Sequence, residues 1–177
     1  MVAHNYEERK MAVLTIKPKV DSRDGEYIVS RALGIKRKVD VIVGKEDSIM
    51  SAYVVRRFGS IVSHPAVIIV DEAQFLTTRQ VDELREIVNH FEVPVMAYGL
   101  RTDAFTNLFE GSRRLFEVAD NFQEFKTICP CCGGKAIFNM RIGDNGKPVF
   151  EGNQEQPGHN YLPVCSRYYY ELKEEMN

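Results

Sequence analysis

The stretch Ala66-Val67-Ile68-Ile69-Val70-Asp71-Glu72-Ala73-Gln74-Phe75 constrains this chain more than any other. Four β-branched apolar residues run unbroken between Pro65-Ala66 and an acidic pair, too few for a helix and without the alternation of a half-wet strand. Such a run belongs to a strand covered on both faces, the environment of a parallel sheet. Open parallel sheets bind their ligands beyond the carboxyl ends of the strands. The pattern therefore predicts Asp71 and Glu72 at a ligand site, side by side and directed to different faces. In phosphate-handling α/β proteins a carboxylate at this place holds Mg²⁺, which leaves its neighbour to act as a base. The plainer alternative is an acidic pair that merely ends a strand and opens a helix.

The flanks support a parallel sheet. Thr77-Thr78-Arg79-Gln80 forms a capping box that opens a helix to about Phe91, with Val81, Leu84, Ile87, Val88 and Phe91 on the helical period. Residues 93–100 read as the next strand, and strand–helix–strand at this spacing is a βαβ unit. Upstream, residues 1–10 look like the tail of a helix. No capping residue precedes them, and Arg9 and Lys10 stand where cations favour a C-terminus. Residues 11–16 read as a second buried strand; a helix feeding a strand in a doubly wound sheet implies an earlier strand and loop. Residues 17–35, punctuated by Asp21-Ser22-Arg23-Asp24-Gly25, read as a long flexible loop, and loops of that length usually have a function. Residues 39–43 read as a short strand and 48–58 as a modest helix.

From Lys126 the character changes, which divides the chain into an α/β domain over 1–125 and a small domain over 126–177. Short strands at 136–142 and 148–152 flank Asn145-Gly146, a strong hairpin signal, and the chain closes on a charged tail. So small a domain is unstable on burial alone. Cys129-x-x-Cys132, with Cys165 33 residues further on, fits a Zn²⁺ site that would supply the missing folding energy. A fourth ligand is expected at position 168, where Tyr168 is a poor donor; Cys131 and His159 are the open alternatives. A cluster of reduced, metal-free cysteines is the plainer reading. Clustered cysteines in a chain with no export signal favour metal over disulfides, and with it the cytoplasm. A net charge of -2 argues against a dedicated nucleic-acid binder. No apolar run approaches the roughly 18–20 residues of a membrane span.

Asp71-Glu72-Ala73-Gln74-Phe75, Tyr98-Gly99-Leu100-Arg101-Thr102-Asp103, Leu108-Phe109-Glu110-Gly111-Ser112 and the Cys129/Cys132/Cys165 pattern occur here in order. With Asn5-Tyr6-Glu7-Glu8, Asp21-Ser22-Arg23, Gly146-Lys147-Pro148-Val149 and Tyr161-Leu162-Pro163-Val164-Cys165, they resemble the cytosolic-type, zinc-containing (type II) thymidine kinases in their bacterial form. The resemblance runs over nearly the whole chain. It implies a P-loop NTPase/RecA-like parallel sheet with helices on both faces, followed by a zinc-ribbon-like lasso domain that closes over the nucleoside. The implied activity is transfer of the ATP γ-phosphate to the 5′-hydroxyl of thymidine, giving dTMP in nucleotide salvage. Implied with it are ATP, Mg²⁺ and Zn²⁺, feedback by dTTP, a homotetramer, and neither nucleic acid nor membrane as partner.

Residue by residue, Glu72 matches the general base, Asp71 the carboxylate that helps hold Mg²⁺, and Arg23 the arginine that reaches the phosphates. Gln74 matches a nucleotide-side contact. Phe75, Leu100, Phe105, Phe109 and Tyr161 match the nucleoside-binding positions, and Cys129, Cys132 and Cys165 the metal ligands. There are three departures. The family opens with a strand and a Gly-x-x-x-x-Gly-Lys-Ser/Thr loop, whereas no such motif occurs in these 177 residues. The numbering starts where the helix after that loop would be ending, which points to a mis-called start codon or a truncated gene, with a genuinely P-loop-less protein as the alternative. Ala104 stands at the family's base-stacking phenylalanine, with Phe105 beside it, and residues 156–161 look about two residues short of the family's lasso. The missing loop makes a non-transferring nucleoside-binding module the main alternative. A helicase-type ATPase, suggested by Asp-Glu-Ala-Gln, is a weaker one.

Overall fold

The computed structural model describes residues 2–19, 25–30, 34–58, 64–154 and 160–176. They form two compact units, one from residues 1–100 with 110–119, the other from residues 101–109 with 120–177. The first contains α1 (Val2–Glu8), β1 (Val13–Pro18), β2 (Tyr27–Ser30), β3 (Ile35–Lys38), β4 (Val41–Val43), α2 (Ile49–Phe58), β5 (Val67–Val70), α3 (Thr78–Phe91), β6 (Val95–Ala97) and α4 (Glu110–Val118). The sheet is wholly parallel, in the order β4-β1-β5-β6.

β5 lies inside that sheet, with Ile68 level with Leu14 on one side and Val95 on the other. All four of its residues are buried, as its unbroken apolar run requires. Ile68 and Val70 join Leu14, Ile16 and the apolar sides of α2 and α3 in the larger core, which α4 also packs against. Val67 and Ile69 join Val13 on the opposite face, where Val2, Ala3 and Tyr6 of α1 cover them. Each such buried side chain contributes about 1.5–3 kcal/mol. With helices on both faces, every strand delivers its carboxyl end to the same edge of the sheet.

α3 begins where the sequence places it. The Thr77 side chain accepts from the Gln80 N–H at 3.3 Å, and Gln80 Oε1 accepts from the Thr77 N–H at 3.1 Å. Gln80 also donates to the carbonyls of Gly44 and Asp47, tying the helix start to the loop after β4. Thr77→Ala is expected to cost about 1 kcal/mol. Thermal melts should show it as a drop of a few degrees.

Elsewhere the chain departs from its local signals. Residues 17–35 hold more than a loop: β2 and β3 pair as an antiparallel ribbon, from Tyr27 opposite Lys38 to Ser30 opposite Ile35. The buried Lys17 ammonium donates to the Tyr27 carbonyl at 3.0 Å, fixing the ribbon against β1. β4 starts only at Val41, because the Asp40 carboxylate is held by the Thr15 N–H and hydroxyl. Residues 110–118, of which the sequence marks only Glu110-Gly111-Ser112 as part of a motif, form the helix α4. No helix among the described residues is long and apolar enough to cross a membrane.

The second unit is antiparallel. β7 (Thr127–Ile128) pairs with β8 (Lys135–Ala136), and β9 (Phe138–Ile142) lies between β10 (Pro148–Val149) and β11 (Asn160–Val164). Asn145-Gly146 turns the chain between β9 and β10, with Gly146 at φ 74°. The closing segment, expected as a charged tail, is a helix, α5 (Ser166–Glu175). Its Tyr169 is fully buried among Met140, Val164 and Phe138. The Tyr169 hydroxyl donates to the Ala104 carbonyl at 2.8 Å. That bond, with one from Gln154 Nε2 to Asp103 Oδ2 at 3.0 Å, draws residues 101–109 into this unit, on the far side of the boundary expected at 125.

Candidate active site and cysteine centre

β5 ends at Val70, and the two residues after it do not continue its alternation. Glu72 has φ 54° and ψ 39°, left-handed backbone, and precedes a single 3-10 turn at Ala73–Phe75. Such a conformation costs a non-glycine residue roughly 1–2 kcal/mol. Glu92, also left-handed, caps the C-terminus of α3, where that geometry is common. Glu72 caps no α-helix C-terminus. Strain of this kind, carried by a carboxylate at the ligand edge of a parallel sheet, is a signature of a functional site.

The turn is fastened from three sides. The Asp71 N–H donates to the Ile16 carbonyl, and the Ala73 N–H to the Tyr98 carbonyl. Gln74, only 2% exposed, donates from Nε2 to Glu72 Oε2 at 2.6 Å and accepts the Leu100 N–H on Oε1 at 3.1 Å. Both ends of this amide are therefore engaged by protein, so Gln74 aims the Glu72 carboxylate. The Ser112 hydroxyl donates to the Leu100 carbonyl at 2.6 Å, fixing the same strand end from α4. Gly99 and Gly111 let backbone come close. A Cβ at Gly99 would stand 2.5 Å from Gln74 Oε1, and one at Gly111 would overlap the Ala73 carbonyl oxygen. The resemblance singled out Asp71, Glu72, Gln74, Phe75 and Leu100, and the structure brings them together at this turn. It did not single out Ser112 or the close approach at Gly111, although both lie in a quoted motif.

The remaining nucleoside positions lie in the second unit. Phe109 is buried and Tyr161 partly exposed on β11. Phe105 sits in a turn whose Asp103 Oδ1 accepts the Phe105 and Asn107 N–H groups, each at 2.9 Å. Arg23 and His159 lie outside the described residues.

Cys129, Cys132 and Cys165 come together, their sulfurs all within 4.8 Å of one another. The Cys165 N–H, with those of Cys131 and Cys132, holds the Cys129 thiol down to about 6 despite its burial. Gly134 pulls the Cys132 thiol down, but hydrogen bonds to Cys165 and Cys129 leave it raised. Cys165 also serves as the N-cap of α5, accepting the Tyr168 N–H at 3.4 Å. Soft sulfur donors at this separation fit Zn²⁺. Of the candidate fourth ligands, Cys131 lies outside the three-sulfur group, and a hydrogen bond to its sulfur raises the Tyr168 phenol. Among the described residues the centre is thus a three-cysteine one.

A family model described as thymidine kinase matches residues 1–169. A thymidine kinase of Streptococcus pyogenes serotype M3 is 42% identical over 171 residues, covering 96% of this chain and 87% of that protein. The thymidine kinase of Enterobacteria phage T4 is 42% identical over 177 residues, 99% of this chain and 89% of its own. That of Streptococcus gordonii is 42% identical over 171 residues, 96% of this chain and 86% of its own.

Proposed function

Because the chain belongs to the thymidine kinase family, it is a kinase acting on thymidine, and we propose that Glu72 is its general base. The observation that carries this assignment is the strained carboxylate at the end of β5, aimed by Gln74. Phosphoryl transfer asks the protein chiefly for positioning and for a base close to the attacking hydroxyl. In our reading the Glu72 carboxylate takes the proton of the thymidine 5′-hydroxyl as that oxygen bonds to the γ-phosphorus of ATP. The bond from that phosphorus to the β–γ bridging oxygen breaks, its electron pair leaves with ADP, and dTMP is formed. The proton on Glu72 then passes to solvent.

The hard carboxylate oxygens of Asp71, one residue beyond β5, suit Mg²⁺, which when bound neutralises charge on the β- and γ-phosphates. Phe75, Leu100, Phe105, Phe109 and Tyr161 hold the nucleoside, and Arg23 serves the phosphates. Gln74 reaches the nucleotide side only through the Glu72 carboxylate it orients. A homotetramer, dTTP feedback and a cytoplasmic location accompany this proposal. The helicase-type alternative loses its ground to a family match that spans residues 1–169. The alternative that remains is the non-transferring nucleoside-binding module. It predicts thymidine binding without dTMP.

Cys129, Cys132 and Cys165 hold Zn²⁺ in this proposal, which when bound cross-links the β7–β8 ribbon to the start of α5. The purified chain is expected to carry about one zinc, and Cys132→Ser to lose most of it. Chelation should lower the melting temperature by about 5 °C or more. Metal analysis and thermal melts check this; an unchanged melt after complete chelation would refute a structural zinc.

A further inference from the structure

Arg141 has no part in the mechanism above, yet it is the largest fully buried side chain among the described residues, at 1% exposed. A guanidinium buried to that extent is costly unless its donors and faces are engaged. On β9 it lies opposite Val149 of β10 and Tyr161 of β11. Its Nη2 donates to the Asn153 carbonyl at 2.8 Å and reaches that of Gln154 at 3.5 Å. The guanidinium carbon stands 4.9 Å from the centre of the Phe105 ring and 5.8 Å from that of Tyr161. Both distances are within range of a cation–π contact. Gly152, beside Arg141 Nη1, has φ 127°, a backbone conformation that residues with side chains rarely adopt. Gln154 closes the circuit through Asp103, whose other carboxylate oxygen fixes the Phe105 turn. Three separate segments, 103–107, 152–154 and Tyr161, are thus registered on one planar cation.

We propose that Arg141 is a positioning residue for the nucleoside, setting the Phe105 and Tyr161 rings against the base and so governing thymidine affinity without serving phosphate transfer. This rests on the assignment of those two rings to the nucleoside. Lysine keeps the charge but lacks the flat face and the fork of donors. Arg141→Lys is therefore expected to weaken thymidine binding about tenfold, with ATP affinity within twofold. In a Phe105→Leu background the same substitution should cost less than about threefold, because contacting residues are not additive. Equilibrium binding of each ligand to the full chain measures both. A general structural role would instead weaken both ligands alike, and that result overturns the proposal, as does unchanged thymidine affinity in Arg141→Lys. Should Arg141→Lys fail to fold, the Nε–H resonance of Arg141 in the unaltered chain decides: a shift on adding thymidine but not ATP supports the role, and no shift overturns it. An unaltered chain that binds no thymidine overturns the nucleoside assignment itself, which separates that failure from the failure of Arg141 alone.

Discussion

Glu72→Gln is expected to lower kcat by about 10²–10⁴-fold, the range over which a positioned base acts, while thymidine binding changes less than about threefold. Glutamine has the same shape and retains an oxygen for the Gln74 amide, so the turn should persist and only the proton acceptor be lost. Steady-state kinetics and equilibrium binding together separate these effects; kcat within tenfold of the unaltered chain would remove Glu72 from the mechanism. A companion substitution isolates the strain. Glu72→Gly relieves a left-handed backbone that costs glutamate roughly 1–2 kcal/mol, partly offset by the greater freedom of an unfolded glycine. The substitution also removes the acceptor of the buried Gln74 amide, a cost of about 1–3 kcal/mol, so the melting temperature should be unchanged or slightly lowered while turnover disappears. A side chain whose strain offsets what its contacts contribute to the fold, but which the reaction requires, is what a catalytic carboxylate at a strained turn should be.

Gly111→Ala should be the most damaging small substitution in the first unit. The added methyl would overlap the Ala73 carbonyl oxygen and stand 2.8 Å from that of Leu76 and 3.0 Å from that of Gln74. All three obstacles are backbone of the 3-10 turn and of Leu76, which caps it, so no side chain can swing aside. Either α4 retreats or the turn moves. Overpacking against backbone costs about 3 kcal/mol, a melting drop of roughly 6–12 °C for a chain this size. Because the Gln74 backbone is among the atoms displaced, the clamp on Glu72 should loosen and kcat fall as well. Loss of stability with kcat intact would mean that α4 alone gives way and that the turn is not set by its packing.

The sequence was most informative where the signals are local. An unbroken apolar run suffices to place β5 inside a sheet, and the Thr77–Gln80 pairing suffices to start α3. The β2–β3 ribbon was obscured by Asp21-Ser22-Arg23-Asp24-Gly25, whose turn chemistry outweighs the short Tyr27-Ile28-Val29 run. α4 carries Gly111 and Ser112 in its first turn, both weak helix formers, and gains its stability from packing Leu115 and Val118 on the core. α5 is capped by Cys165, not by one of the usual capping residues, and its three consecutive tyrosines carry a strand propensity that tertiary burial of Tyr169 overrides. At the candidate site the residue types were legible: Asp71, Glu72 and the cysteines were singled out by spacing and resemblance. Their conformation was not. Nothing in an Asp-Glu pair announces a left-handed glutamate, and nothing in Gln74 announces which two groups its amide will join. Arg141 was silent for a related reason, since β9 buries Met140 and Arg141 consecutively and so breaks the alternation that would have marked an inward position.

The most direct test of the account is to give the purified chain ATP, Mg²⁺ and thymidine and to measure dTMP formed, alongside equilibrium binding of thymidine. The expected result is dTMP that requires both substrates and disappears with Glu72→Gln. Thymidine bound at saturation, with no dTMP formed, would contradict it and leave a nucleoside-binding module in its place.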